Sequence, residues 1–335
     1  MKPYRFLAFA AALLTLVSTA GAIQPLLSGF LAFDYLGPRS GVGQGNFQNL
    51  QGGLKATGEF MSRVQFAFEL RLASESLVAD QAWASYTFSD FLTVKAGLGL
   101  VPFGQSNRAS LPFETLYVLR PLNLEETYPF RWRDLGLTAE GRWGFLSYAA
   151  YLGNGLAEDE GPVGRQQCRD NNCSLAGGGR LGLHSGDAVE WGVSYYRGKY
   201  DDEGRRHLTL SGADVRWLTT SWSLLAEYTK AARENPAPLE DGTSEGYFVL
   251  LLVSLGRLQP VGTYQSSKTE DLFHMAGAPA GGAAEGFFRD RTRWTVGARL
   301  IIGEGLFLKG EYAVDKDRDL GREERSFRLQ VALSF

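Results

Sequence analysis

The strongest constraint on the fold is a two-residue alternation of apolar and polar side chains, which recurs along most of the chain after residue 23. In segment 64–72, positions 64, 66, 68, 70 and 72 are apolar, and Gln65, Glu69 and Arg71 lie between them. This is the period of a β-strand with one apolar face. Helical spacing is nearly absent, so the sequence predicts an all-β chain.

Sixteen segments carry this alternation, and the links between them fall into two classes by length. Short polar turns alternate with longer links, and the only short member of the second class lies around 74–76. Transmembrane barrels have short periplasmic turns and long external loops, whereas a two-sheet sandwich has no reason to sort its loops in this way. The pattern favours a transmembrane antiparallel β-barrel of about 16 strands. The segments begin near Gly29, Gln48, Arg63, Leu77, Phe91, Arg133, Phe145, Gly179, Ala188, His207, Trp222, Gly246, Leu258, Thr292, Leu306 and Ser326.

The amino terminus resembles a secretory signal peptide. Lys2 and Arg5 precede an apolar stretch at 6–17, and small residues at 20–22 form a cleavage site. We expect removal of residues 1–22, because the apolar stretch is short for an uncleaved anchor, which needs about 20 residues. Residues 23–335 then form the barrel, with about 20 residues for each strand and its link, enough for a tilted membrane strand.

Composition excludes several other classes. The mean hydropathy is −0.16 and the only continuous apolar run is the amino-terminal one, so the chain is not a polytopic helical membrane protein. The net charge of −3 provides no cationic field for nucleic-acid binding. The sequence contains neither a G-x-S-x-G nor an H-E-x-x-H motif. We therefore expect no enzymatic activity, no catalytic residue, no cofactor and no metal.

A series of short motifs runs through most of the mature chain. The motifs are 97–104, Arg120, 133–137, 148–152, 154–155, 212–214, 227–228 and the last strand, which ends at Phe335. In this order and spacing they resemble the phosphate-selective porin O and P family of Gram-negative outer-membrane porins. The chain departs from the family pattern at Leu100, Leu119 and Thr263, positions that concern selectivity rather than fold.

The resemblance implies a function and a set of partners. It implies a water-filled outer-membrane channel for passive diffusion of small hydrophilic solutes or anions, surrounded by lipid and assembled as a homotrimer. It also implies that Phe335 is part of the signal read by the barrel-assembly machinery. The alternative is a non-pore structural or adhesive barrel, against which the charged lumen predicted below argues.

By the same resemblance, the longest link, 102–132, folds into the lumen and forms the constriction. Assigning the strand face opposite the apolar residues to the lumen gives nine basic and nine acidic residues. Because a selective pore needs one sign to dominate, this balance favours a general pore and leaves anion or phosphate preference open. The predicted pore-lining and constriction residues are Lys95, Arg108, Glu114, Arg120, Glu125, Glu126, Arg131, Arg133 and Asp134.

Two groups of these candidates have competing interpretations. The arginines at 108, 120, 131 and 133 either bind passing oxyanions or pair with the glutamates of their own loop and hold it to the wall. Cys168 and Cys173 lie in one hydrophilic loop without a nearby histidine. A disulfide between them is therefore expected rather than a metal site.

Overall fold

Sixteen antiparallel strands form a closed barrel in the computed structural model, which describes residues 25–37, 44–73, 76–159, 163–271, 273 and 287–335. Neighbouring strands pair in chain order, and the first strand closes on the last, so the predicted fold class is confirmed. The predicted signal peptide, 1–22, lies outside the described residues. The barrel strands are β1 (Leu26–Leu36), β2 (Asn46–Phe60), β3 (Val64–Ala73), β4 (Ser76–Ser89), β5 (Leu92–Leu100), β6 (Arg133–Trp143), β7 (Leu146–Gly153), β10 (Ala176–Ser185), β11 (Val189–Lys199), β12 (His207–Leu218), β13 (Trp222–Arg233), β14 (Gly242–Val253), β15 (Leu258–Asp271), β16 (Phe287–Gly303), β17 (Leu306–Asp317) and β18 (Arg322–Ser334).

Two links contain structure of their own. In the link between β7 and β10, β8 (Leu156–Ala157) and β9 (Arg165–Gln166) pair as a small two-stranded sheet. The link between β5 and β6 contains α1 (Leu122–Thr127). Among the described residues, no helix is long and apolar enough to cross a membrane.

The outer face of the barrel is apolar and carries a row of aromatic side chains. Tyr228 pairs with Tyr247 across β13 and β14, and Tyr264 pairs with Trp294 across β15 and β16. All four side chains are exposed. Aromatic rows of this kind occur where a barrel meets the membrane–water interface.

The carboxy-terminal residue takes part in closing the barrel. The backbone N–H of Phe335 donates to the carbonyl of Gly29 at 2.9 Å, and the N–H of Gly29 donates back at 2.7 Å. The pairing of β1 with β18 therefore continues to the last residue of the chain.

The hydrophobic core lies inside the barrel. On β14, Phe248 and Leu250 face inward and are fully buried, whereas Val249 and Leu251 face outward and are exposed. The inward side chains pack with Phe103 and Leu124 from the link between β5 and β6. On this wall the link rather than water covers the inward side chains.

Candidate pore constriction

Residues 102–132, called the inner loop below, lie inside the barrel and are bonded to its wall. The backbone N–H of Ser106 donates to Glu227 Oε2 at 2.9 Å. On the opposite side, the N–H of Val118 donates to Glu311 Oε2 at 2.9 Å. Buried carboxylates of the wall therefore satisfy the backbone donors of the loop through charge-assisted hydrogen bonds.

The helix α1 holds the loop against β13 and β15. Asn123 Nδ2 donates to Thr229 Oγ1 at 3.3 Å. Glu126 Oε2 accepts hydrogen bonds from Ser267 at 2.6 Å and from Thr269 at 2.8 Å. These polar contacts flank the apolar core, so the loop is fixed by packing and by hydrogen bonds together.

The glutamates of the inner loop pair with the barrel wall or with the loop backbone. Arg293 Nη1 lies 3.2 Å from Glu125 Oε1, and Arg291 Nη1 lies 3.4 Å from Glu126 Oε1. Glu114 Oε2 accepts from the backbone N–H of Leu111 at 2.9 Å. The predicted pairing of these glutamates with the loop's own arginines is not what the structure shows.

The arginines of the inner loop instead bind wall acids or loop backbone. Arg131 is buried, and it donates to Glu69 Oε1 at 2.7 Å and to Asp80 Oδ2 at 2.6 Å. Arg120 Nη2 donates to the carbonyl of Tyr128 at 2.9 Å. Arg131 therefore bonds the end of the loop to wall acids, whereas Arg120 bonds within the loop.

Arg108 belongs to a cluster in which cations cover an acid. Glu190 Oε1 accepts from Arg180 at 2.7 Å and from Arg108 at 3.1 Å, and Glu190 Oε2 accepts from Arg216 at 3.1 Å. The side chains of Arg108 and Arg216 are 51% and 34% exposed, against 4% for Glu190. Asp214, the second acid of the cluster, is also buried and binds Arg180. Three arginines thus face two acids, and Arg108 and Arg216 lie nearer the water than either acid.

A second cluster has the same number of arginines and acids but is almost wholly buried. Asp80 is fully buried, and it binds Arg71 Nε and Arg131 Nε at 2.6 Å each. Arg133 Nη1 lies 3.5 Å from Asp80 Oδ1 and its side chain is 15% exposed. Glu69, which binds Arg131, is the other acid, so this cluster also contains three arginines and two acids.

Lys95 and Asp134, two other predicted pore-lining residues, lie outside these two clusters. Lys95 faces the lumen, 3.1 Å from Glu140 Oε1 and 4.7 Å from the ring of Trp83, and here the acid is the more exposed partner. Asp134 is buried and accepts hydrogen bonds from Tyr151 and from backbone N–H groups. Its carboxylate therefore joins the start of β6 to β7 and to Gly155, and its place among the pore-lining residues stays a prediction.

The predicted disulfide is absent from the structure. Cys168 and Cys173 are free and exposed. Asparagine side chains hold this loop instead: Asn172 Nδ2 donates to the carbonyls of Lys199 at 3.1 Å and of Asp201 at 2.8 Å.

One histidine lies beside a serine in the barrel. Ser147 Oγ and His184 Nε2 are 2.8 Å apart. In the part of the chain that the structure describes, no hydrogen bond to His184 Nδ1 is found, so the third, orienting group of a catalytic triad is not supplied. His274 lies outside the described residues.

Known structures share this barrel. An anion-selective porin from Comamonas acidovorans is 10% identical, with a TM-score of 0.69, and the match covers 93% of this chain and 100% of that one. OmpT with loop L8 deleted, an outer-membrane protein of Vibrio cholerae, is 10% identical with a TM-score of 0.67, over 94% of this chain and 100% of that one. OmpF of Salmonella typhi, in complex with daunomycin, is 15% identical with a TM-score of 0.66, over 94% and 98%. The barrel has the porin fold.

Sequence comparison does not assign the chain to a family. No family model matches the chain, so the resemblance to the phosphate-selective family is not confirmed. An uncharacterised protein of Aquifex aeolicus is 25% identical over 163 residues, which are 45% of this chain and 37% of that protein's length. The predicted outer-membrane location is confirmed by the porin fold together with the apolar outer face.

Proposed function

We propose that the protein is an outer-membrane porin that lets small hydrophilic solutes cross by passive diffusion and that prefers anions. The observation that carries this proposal is the depth of the charges in the two arginine clusters. Glu190 and Asp80 are buried, whereas Arg108 and Arg216 extend toward the lumen. Each cluster contains one more cation than acids, so a solute beside it meets a positive field.

The inner loop supplies the constriction in this proposal. It packs on the wall from β11 to β17, and Arg131 bonds it to Glu69 and Asp80 on β3 and β4. On β5 and β6 a narrow space is lined by Lys95, Gly97, Gly99 and Gly136, and in this proposal solutes pass there. Guanidinium groups near such a passage present N–H donors that suit carboxylates and phosphates. The porin from Comamonas acidovorans, described as anion-selective, is consistent with this preference.

The test is single-channel conductance of the purified mature protein in planar bilayers, with reversal potentials measured under a salt gradient. An anion-selective current supports the proposal, and its block by low phosphate would add a phosphate site. A weakly selective current indifferent to phosphate would indicate a general pore. No conductance would contradict the pore and favour the non-pore structural or adhesive barrel.

A matched pair of variants tests the arginine cluster directly. Arg108→Gln removes a half-exposed cation near the lumen, and we expect the anion-to-cation permeability ratio to fall by roughly threefold, on the scale of one charge acting across water. Arg325→Gln is the control, because Arg325 is exposed and pairs with Glu323 near the start of β18. An unchanged ratio in Arg108→Gln would contradict the role of the cluster.

We also propose that the protein assembles as a homotrimer after cleavage of residues 1–22. One similar structure, OmpT of Vibrio cholerae, is described as a trimer form. Light scattering of the detergent-solubilised protein measures the oligomeric state, and a monomer would contradict the trimer. Amino-terminal sequencing of the mature protein tests whether it begins at Ile23.

A further inference from the structure

The link between β7 and β10 contains a side chain that bonds to the inner loop and to Arg133 together. Gln166 Oε1 accepts from the backbone N–H of Arg133 at 2.9 Å and from Arg133 Nη1 at 3.3 Å. Gln166 Nε2 donates to the carbonyl of Phe130 at 3.2 Å. One amide group therefore binds the inner loop and the guanidinium at its exit.

Gln166 is held in place by a folded element rather than by a free loop. It lies on β9, which pairs with β8, where Leu156 and Ala157 are buried. The N–H of Leu156 donates to the hydroxyl of Tyr196 at 3.1 Å, which fixes β8 to the inner face of β11. The position of the Gln166 amide is therefore set by the barrel wall.

Arg133 has a second possible partner, in the buried acid cluster. Its Nη1 lies 3.5 Å from Asp80 Oδ1. That oxygen is buried and has no hydrogen-bond partner among the described residues. A buried carboxylate oxygen without a partner is costly, so an unrestrained guanidinium would move onto it.

We infer that Gln166 is a positioning residue for selectivity, which holds the partly exposed guanidinium of Arg133 at its own amide and so prevents its full pairing with the buried Asp80. This inference rests on the proposed anion-preferring pore. It makes the link between β7 and β10 a second determinant of the constriction, beside the inner loop. Nothing in the sequence around Gln166 marks it as a pore residue, since it contributes no charge.

The experiment is a double-mutant cycle read by reversal potential. We expect Gln166→Ala to lower the anion-to-cation permeability ratio by about twofold to threefold, because Arg133 withdraws toward Asp80. Arg133→Gln should lower it at least as far. The double variant should have the same permeability ratio as Arg133→Gln alone, because Gln166 acts through Arg133.

Gln167→Ala is the matched control. Gln167 bonds to Asn154 and Asn171 within its own link and does not contact Arg133. Circular dichroism and unheated gel mobility establish that each variant is a folded barrel. An equal fall of the permeability ratio in Gln167→Ala would overturn the positioning role and indicate a general disturbance of the link. Additive falls of the ratio in the double variant would overturn it as well.

The outcomes separate this inference from the proposed function. An anion-preferring wild-type channel with an unaltered ratio in Gln166→Ala overturns the role of Gln166 alone. A wild-type channel without anion preference, or without conductance, overturns the proposed function and this inference with it.

Discussion

At the scale of single residues, the charge that a solute meets depends on which member of each ion pair lies nearer the water. The sequence predicts nine basic and nine acidic residues in the lumen. The alternation of side chains shows only which face of a strand a residue lies on, and not how deeply its charge is buried. Asp80 is not among the predicted lumenal residues. A register shift between β3 and β4, at Glu69 and Leu70, interrupts the alternation of inward residues there. Charge balance in the sequence therefore does not predict the lumenal field.

Arg131 offers a test of the buried part of these clusters. Replacing Arg131 by Met leaves the carboxylates of Glu69 and Asp80 with less compensation in a buried site. We expect a loss of about 3–5 kcal/mol in the free energy of unfolding, which denaturant unfolding of the barrel in detergent measures. Arg325→Met, at an exposed ion pair, should leave the transition unchanged. Equal stability of the two variants would contradict the account.

Asp201, in the link between β11 and β12, predicts a pH dependence. Burial alone would raise the pKa of its carboxyl, but hydrogen bonds from the backbone N–H groups of Arg206 and Arg205, at 2.7 and 2.9 Å, outweigh it and lower the pKa. Because the folded-state pKa is the lower one, the stabilisation is complete above the unfolded value of about 4 and is lost as pH falls through the lowered pKa.

Hydrogen exchange of the Arg205 and Arg206 amides measures this effect. Protection relative to the intrinsic rate should be constant above the unfolded pKa of about 4 and should fall as the pH drops through the lowered pKa of the folded state. In Asp201→Asn the acid-dependent step should disappear. Persistence of that step in the variant would assign it to another group.

At the scale of elements, strand starts that follow short turns are predicted to within one residue, whereas starts that follow the longer links vary from exact agreement at Arg133 and His207 to a difference of five residues. The predicted and observed starts agree at Trp222 and Leu258, whereas β16 begins five residues before the expected Thr292. Beyond the membrane, lipid no longer imposes an apolar outer face, and the strands continue through outward charges such as Lys230 paired with Glu245. The alternation that marks a membrane strand ends before the strand does.

Adjacent leucines on β14 test the packing of the inner loop. Leu250 is fully buried beneath the loop, whereas Leu251 is 48% exposed on the outer face. We expect Leu250→Ala to leave a cavity costing about 2–5 kcal/mol and to loosen the loop, which increases the noise of the open-channel current. Leu251→Ala should leave the current unchanged. Similar noise in the two variants would contradict a loop fixed by this core.

At the scale of the whole molecule, the alternation and the sorted link lengths predict the closed barrel, but the packing inside it is harder to predict. One signal was present in the sequence: 247–253 is apolar at every position, which a strand between lipid and water has no reason to be. Such a strand must be covered on both faces. The covering segment lies more than a hundred residues away along the chain, so local pattern could not identify it.

The backbone and the side chain of Phe335 have different surroundings. The backbone of Phe335 bonds to Gly29, while its side chain is largely exposed on the outer face. Phe335→Ala keeps the backbone pairing, so the purified variant should refold in detergent with unchanged stability and conductance. Because an exposed terminal aromatic is available to an assembly factor, we expect the variant to reach the outer membrane in clearly reduced amounts. Quantitative immunoblotting of membrane fractions measures this amount. If the yield of refolded protein in detergent falls equally, Phe335 instead stabilises the closed barrel.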